Sequence, residues 1–79
     1  MPKTSNLMGT IMSLGKNISK HRKRARMTQQ DLADAIGVSY SRISEIENGR
    51  GNPRIGTIEK IADALQTTVS KLTREIVLK

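Results

Sequence analysis

The sequence contains no cysteine, tryptophan or phenylalanine, and Tyr40 is its only aromatic residue. The absence of cysteine excludes a disulfide scaffold and a cysteine-ligated metal site, and the single histidine, His21, cannot form a histidine cluster. Leucine, isoleucine, valine, alanine and methionine must fill any core, which favours packed helices over a β-sandwich. Because no nucleophile-base pair, metal cluster or phosphate loop is recognisable, we expect no enzyme, no metal and no cofactor.

Long hydrophobic runs are also missing. No apolar segment approaches the roughly 18 residues of a membrane span, and the N-terminus lacks the continuous apolar stretch of a secretion signal. We therefore expect a cytoplasmic protein. Its 79 residues have room for one domain, and a domain of this size buries only about 60% of its unfolded surface, which leaves a role for a partner subunit.

Acidic residues are few: seven Asp and Glu stand against fourteen Lys and Arg, for a net charge of +7. Six of the fourteen basic residues are bunched before the first acidic residue, Asp31. The bunched residues are Lys16, Lys20, Arg22, Lys23, Arg24 and Arg26. Such a charge implies a polyanionic partner. Nucleic acid and an anionic membrane both fit, and a solvated basic face without a partner is the third interpretation.

The N-terminal third of the sequence predicts an arm followed by a helix. Residues 1–12 contain Pro2 and Gly9 and only a weak apolar spacing, so they are predicted to be an arm or a short extra helix. The first helix is predicted to begin at Ser13 as its N-cap. Its inner stripe is Leu14, Ile18, Arg22 and Ala25. An arginine in that stripe is either exposed at the helix edge or buried against a carboxylate, because an unpaired buried charge is too costly.

The middle of the sequence predicts two short helices joined by about three residues. Thr28 to Asp31 resembles a capping box, which places a helix from there to Ile36, and Gly37 suits a helix end that needs a positive φ. Ser39 is predicted to cap the next helix, which Asn48-Gly49 ends. The residues predicted to face inward are Leu32, Ala33, Ile36, Val38, Ile43 and Ile46.

The last part of the sequence predicts two more helices. The apolar residues of the fourth helix recur at three- and four-residue steps and are Ile55, Ile58, Ile61, Ala62 and Leu65. Thr68 is predicted to cap a fifth helix, which carries Val69, Leu72 and Ile76 on one stripe. The expected fold is therefore all-α, with one five-helix domain over residues 13–79.

The segment from Gln29 to Asn48 resembles the helix-turn-helix of the lambda-repressor and Cro family, also called the Xre family. The matching residues are Gln29, Leu32, Ala33, Gly37, Val38, Ile43, Ile46, Glu47, Asn48 and Gly49. The resemblance covers residues 14 to 72 and implies a compact lambda-repressor-like domain that binds double-stranded DNA as a transcriptional regulator. The sequence departs from the family pattern at three positions. Arg54 stands where a small polar cap is usual, Gln66 stands where a helix-ending glycine is usual, and Gly56 is the third departure.

The resemblance also implies roles for individual residues. The third helix would lie in the major groove and present four residues to base edges, namely Tyr40, Ser41, Arg42 and Glu45. The residues implied to bind backbone phosphate are Gln29, Ser39, Ser44, Asn48, Arg50 and Arg54. Arg22 and Glu47 occupy the positions of a partly buried ion pair. The cluster from Lys20 to Arg26 would attract DNA in general, with Lys23 and Arg26 as the members that could reach it.

Relatives of this motif usually bind pseudo-palindromic DNA as homodimers. In so short a chain we expect the dimer interface to come from the fifth helix and the residues after it, with the N-terminal arm as the other source. The candidate residues are Leu72, Ile76, Val77 and Leu78. The alternative interpretation is that these residues complete the core of the monomer.

Three DNA-binding roles remain open: a phage-type repressor or Cro-like protein, a controller protein of a restriction-modification system, and an antitoxin that also binds a protein toxin. An activator would in addition contact RNA polymerase. A different class is a basic RNA- or membrane-binding module whose active surface is the helix from Leu14 to Met27. That class fits the charge, but the chain lacks the aromatic residues that stack on bases or anchor at a membrane interface.

Overall fold

The computed structural model describes residues 4–73, with side chains from residue 14 onward. This part of the chain is all-helical. The helices are α1 (Thr4–Arg24), α2 (Gln29–Ile36), α3 (Tyr40–Glu47), α4 (Ile55–Ala64) and α5 (Val69–Thr73). α1 packs against α3 and α5, α2 packs against α3 and α4, and α4 packs against α5. The predicted fold class is confirmed.

The predicted start of the first helix at Ser13 is wrong, because α1 begins at Thr4 and passes through Ser13 without a break. Much of the predicted arm, residues 1–12, is therefore helical. Apolar residues occur at positions 7, 11, 14 and 18, so the three- and four-residue spacing of the helix continues upstream of Ser13. A serine inside a helix does not end it, and no proline follows Pro2 until Pro53.

One hydrophobic core lies between the helices. Its buried side chains are Leu14, Ile18, Leu32, Ala33, Ile36, Ile43, Ile46, Ile58, Ile61, Ala62, Leu65 and Leu72. Met27, Val38, Ala64 and Val69 pack against it from the edge. The core contains no aromatic ring, because Tyr40, the one aromatic residue of the sequence, is exposed, and branched aliphatic side chains fill most of it. The predicted inner faces of α2 and α3 are confirmed.

Two residues of the predicted inner stripes lie outside this core. Ala25 follows the last residue of α1 and is exposed. Ile55 is 61% exposed because it is the first residue of α4 and lies beyond the part of that helix that the core covers. Arg54 is the N-cap of α4, and its side chain makes no capping hydrogen bond. This agrees with the departure from the family pattern noted in the sequence.

The first four helices end in the same way, with one residue in the left-handed region and a hydrogen bond spanning six residues. The left-handed residues are Arg26 (φ 61°), Gly37 (φ 77°), Gly49 (φ 77°) and Gln66 (φ 55°). The hydrogen bonds are Met27 N–H to Arg22 O, Val38 N–H to Ala33 O, Arg50 N–H to Glu45 O and Thr67 N–H to Ala62 O, at 2.8 to 3.1 Å. This is the Schellman geometry, which favours glycine. Two of the four helix ends adopt this geometry without a glycine, at Arg26 and Gln66.

Candidate nucleic-acid interface

The turn between α2 and α3 is fixed by side-chain caps at the start of both helices. Thr28 Oγ1 accepts the Asp31 N–H at 2.9 Å, and the Asp31 carboxylate accepts the Thr28 N–H at 2.9 Å. Ser39 Oγ accepts the Arg42 N–H at 3.1 Å and begins α3. The predicted capping box and the predicted Ser39 cap are confirmed. They determine the angle at which α3 leaves the turn.

The two faces of α3 differ in chemistry. Ile43 and Ile46 are buried in the core, so the opposite face of this helix points away from the protein. Tyr40 is 50% exposed, and Ser41 and Glu45 are exposed. Three of the four side chains implied to contact bases therefore lie on the accessible face of α3.

Arg42, the fourth of these residues, is held against the protein. Its Nη1 lies 3.8 Å from the Glu45 carboxylate, and the side chain is 34% exposed. A methyl group on Gly51 would lie 2.8 Å from the same nitrogen, so the guanidinium rests over the loop between α3 and α4. Gly51 has a φ of 71°. The structure thus joins two predicted base-contacting residues to each other and places Arg42 beside a loop glycine that the sequence did not single out.

An ion pair joins α1 to α3 beneath this surface. Arg22 Nε donates to Glu47 Oε2 at 2.7 Å and Arg22 Nη2 donates to Oε1 at 3.1 Å, while Nη1 donates to the Met27 carbonyl at 2.7 Å. The two side chains are 9% and 5% exposed. Of the two possibilities that the sequence allowed for the arginine, burial against a carboxylate is the one observed. The ion pair implied by the family resemblance is present.

Gln29, implied to bind phosphate, is the first residue of α2 and contacts the same carboxylate. Its Nε2 donates to Glu47 Oε1 at 3.0 Å. An amide nitrogen carries two N–H donors, so this bond leaves one donor for another acceptor. The N-terminus of α2 also has backbone N–H groups without helical partners and the positive end of the helix dipole. The ion pair therefore fixes the orientation of a donor at a helix N-terminus.

The other residues implied to bind phosphate lie at three places: the end of α3, the following loop and the start of α3. Asn48 caps the C-terminal end of α3, where its Nδ2 donates to the Ser44 carbonyl at 2.9 Å and lies 3.5 Å from Ser44 Oγ. Arg50 and Arg54 are exposed on the loop between α3 and α4. Ser39 uses its hydroxyl oxygen as the α3 cap and retains its O–H donor.

The fifth helix changes one of the predictions for the dimer interface. Leu72 is fully buried, on a helix that packs against α1 and α4. Its carbonyl accepts the side-chain amide of Asn17 at 2.8 Å. Leu72 is thus a core residue of the monomer and offers no side-chain surface to a partner. Ile76, Val77 and Leu78 lie outside the described residues.

His21 is the one group in the described part of the chain whose pKa departs clearly from its ordinary value. Burial lowers the pKa of His21 below 6.5, and the positive charges of Arg24, Lys71 and Lys20 lower it further. These surroundings therefore favour the neutral form of the imidazole over the charged form. It lies on α1, beside the turn between α4 and α5.

The structure also shows features that the sequence did not predict. Gly15 is buried where α1 crosses the end of α3. Gln29 donates a hydrogen bond to the same Glu47 carboxylate that pairs with Arg22. Within residues 4–73 no helix is long and apolar enough to cross a membrane. In the same range no three His, Cys, Asp or Glu side chains are grouped closely enough to hold a metal ion.

Known proteins resemble this chain over most of its length. The sequence profile of the Helix-turn-helix family matches residues 18–72. The immunity repressor protein of Bacillus phage phi105 is 38% identical over 64 residues, which are 81% of this chain and 44% of that protein. The transcriptional repressor RstR of the cryptic phage CTXphi in Vibrio cholerae is 34% identical over 61 residues, 77% of this chain and 54% of RstR. The chain spans about half the length of these two relatives.

A solved structure supports the same comparison. The structure of SinR, described as the master regulator for biofilm formation in complex with DNA, superposes with a TM-score of 0.72 at 34% sequence identity. The match covers 77% of this chain and 98% of that one.

Proposed function

The chain belongs to the helix-turn-helix family of lambda-repressor and Cro-like (Xre) regulators, and we propose that it is a transcriptional repressor that binds operator sites in double-stranded DNA. The observation that carries this proposal is the accessible polar face of α3, which is set at its start by the Ser39 cap and supported from below by the Arg22–Glu47 ion pair. Because operator DNA lies in the cytoplasm of a bacterial cell, we place the protein there.

In this proposal α3 enters the major groove with its N-terminal turn toward the bases. Ser41 donates to or accepts from base edges, and Glu45 accepts from a cytosine amino group. Arg42 leaves its position over Gly51 to donate two hydrogen bonds to a guanine. Tyr40 contacts a thymine methyl group or a phosphate. The exposure of Tyr40, Ser41 and Glu45 and the single weak ion pair of Arg42, at 3.8 Å, support these roles.

Phosphate contacts hold the protein in register on both sides of the groove. Gln29 donates its remaining amide N–H together with the N-terminal backbone of α2. Ser44 and Asn48 contact phosphate at the other end of α3, while Arg50 and Arg54 extend from the following loop, and Ser39 donates its hydroxyl. These contacts position the reading helix and carry no sequence information themselves.

We propose that two copies bind together on a pseudo-palindromic site, with their reading helices about 34 Å apart. Leu72 takes no part in this interface. Ile76, Val77 and Leu78 remain the predicted contributors. The names of the relatives favour repression, while the roles of restriction controller and toxin-binding antitoxin, and a contact with RNA polymerase, stay predictions. We assign no enzymatic reaction to the protein.

Selection of binding sites from random duplex DNA tests the proposal. The expected result is a two-fold symmetric consensus that wild-type protein selects and that a Ser41→Ala/Arg42→Ala variant fails to select. Glu59→Gln, which changes an exposed residue of α4 away from α3, is the control and is expected to select the wild-type consensus. Selection of no consensus, or equal affinity for RNA or for anionic vesicles, would overturn the proposal, and an asymmetric consensus would overturn the dimer.

A further inference from the structure

A groove between α1 and the end of α3 is lined by all three lysines of α1. It is lined on one side by Lys16, Ser19, Lys20 and Lys23 and on the other by Glu47 and Asn48, and its volume is about 540 Å³. The four α1 residues follow the spacing i, i+3, i+4 and i+7, which places them in one row along a helix. We call it the lysine groove. Among the described residues, none that lines it has an apolar side chain.

The positive charge of the lysine groove is not neutralised by acidic side chains among the described residues. α1 contains no acidic residue from Thr4 to Arg24, and both carboxylate oxygens of Glu47 already accept hydrogen bonds from Arg22 and Gln29. Among the described side chains, ion pairs join Arg22 to Glu47 and Arg42 to Glu45, and neither pair involves a lysine. Three ammonium groups therefore face the groove with no anionic partner among the residues described.

We propose that the lysine groove binds the phosphodiester backbone of DNA just beyond the segment that α3 reads. This inference rests on the proposed function and extends its footprint from the ends of the two short helices to the part of α1 between Lys16 and Lys23. Asn48 belongs both to the groove and to the proposed phosphate contacts of α3, so a DNA strand that reaches Asn48 passes directly to the lysines. From Lys16 to Lys23 the row is about 10 Å long, enough for more than one phosphate, since phosphates of one strand recur about every 3.4 Å along the DNA axis.

The other anionic partner to consider is an acidic segment of a protein. Peptide grooves usually combine charge with pockets for apolar anchor residues. The described side chains that line the lysine groove are all polar or charged, and the groove adjoins the reading helix. Both observations favour the repeating, sequence-independent charge of a nucleic acid backbone.

The test compares two charge-matched variants on a duplex of arbitrary sequence and on the operator duplex obtained by selection. Lys20→Gln/Lys23→Gln removes two groove lysines, and Lys60→Gln/Lys71→Gln removes two exposed lysines of α4 and α5. Each phosphate contact contributes about −0.9 to the slope of log K against log salt. We expect the groove variant to make that slope less negative by about 1.8 on both duplexes, with the same preference for the operator as wild type, and the control to change the slope far less.

The possible outcomes distinguish a failure of the groove contact from a failure of the proposed function, which is operator binding. Equal changes of slope in the two variants would mean general attraction and would overturn the groove contact. NMR shifts of Ser19 and Asn48 that appear with polyglutamate but not with duplex DNA would overturn it in favour of an acidic protein. If wild-type protein shows no preference for any duplex sequence, the proposed function fails, while the slope difference on the arbitrary duplex still tests the groove.

Discussion

Gly15 of α1 lies against the carbonyl oxygen of Ile46 in α3. A methyl group on the Gly15 Cα would stand 2.5 Å from that oxygen and 2.7 Å from the carbonyl oxygen of Glu47. Both contacts are with backbone atoms, which cannot turn aside as a side chain can. The absence of a side chain at Gly15 is therefore what allows α1 to cross so close to the end of the reading helix.

Gly15→Ala is expected to destabilise the protein by about 2 kcal/mol or more, because overpacking of a tight contact costs about 1–3 kcal/mol and here the backbone must move. Urea unfolding measures the change. Gly56→Ala is the matched control, since Gly56 is also helical and a methyl group there would meet nothing within 4 Å. Alanine exceeds glycine in helix propensity by up to about 1 kcal/mol, so the control is expected to gain stability. A gain in both variants would contradict the close approach.

Arg22→Met is expected to cost about 3 kcal/mol or more, because it leaves the buried Glu47 carboxylate without its cation. Thermal and urea unfolding measure the loss. Arg24→Met, at an exposed neighbouring position of α1, is the control and should stay within about 0.5 kcal/mol of wild type.

A double variant separates the stranded charge from the loss of packing. Arg22→Met/Glu47→Leu leaves no buried charge, so it is expected to be more stable than Arg22→Met alone. If Arg22→Met unfolds no more easily than wild type, the ion pair has no role in tying α1 to α3.

Gln66→Gly is expected to stabilise the protein by about 1 kcal/mol. Gln66 has a φ of 55° at the end of α4. For a residue with a Cβ, the left-handed conformation is less stable by roughly 1–2 kcal/mol. Part of the gain is offset by the greater freedom of glycine in the unfolded chain. Gln66→Ala retains the Cβ and should show no such gain in the same unfolding experiment. Equal stability of the two variants would contradict the explanation.

Stability is expected to fall as the pH drops below about 6.5, through His21. Burial, and then Arg24, Lys71 and Lys20, lower the pKa of His21 in the folded state. Between the lowered pKa and the ordinary value the unfolded chain binds more protons than the folded chain, so the contribution of His21 to stability falls as the pH drops through that window. Below the lowered pKa both states are protonated and the contribution no longer changes with pH. Unfolding of wild type and His21→Gln from about pH 7 to about pH 5 measures the contribution. Parallel curves for the two proteins would exclude it.

Arg42→Ala is expected to lower the preference for the selected operator by about 1–3 kcal/mol, the usual discrimination of a two-bond arginine–guanine contact. Arg50→Ala is the contrasting variant: loss of a phosphate contact should weaken binding to all duplexes alike and reduce the salt slope by about one. Competition titrations with operator and arbitrary duplexes distinguish the two patterns. A uniform loss of affinity from Arg42→Ala would assign that residue to phosphate.

The fold was largely predictable because its determinants are local. The capping box at Thr28, the Ser39 cap and the turn at Gly37 depend on residues within a few positions of one another, and the periodic isoleucines of α3 and α4 mark the buried faces. The start of α1 was predicted wrongly because Ser13 has the chemistry of a cap, and only the continuing helix shows that it is not used as one.

Long-range contacts were harder to predict. Nothing near Gly15 in the sequence indicates that the carbonyl groups of Ile46 and Glu47 lie against it, and nothing near Gly51 indicates that Arg42 rests there. Leu72 has the same apolar character whether it faces a partner or the core. Arg22 and Glu47, 25 positions apart, were paired through the family resemblance, because spacing alone left two possibilities open.

The carboxylate of Glu47 has a consequence for how this protein can evolve. One side chain accepts hydrogen bonds from Arg22, which ties α1 to α3, and from Gln29, a proposed contact with DNA. Variation at Glu47 would change thermal tolerance and operator affinity together, so selection could not adjust one trait alone through this position. Divergence in binding strength among descendants of this chain is more readily achieved at the exposed basic residues, where a change leaves the core untouched.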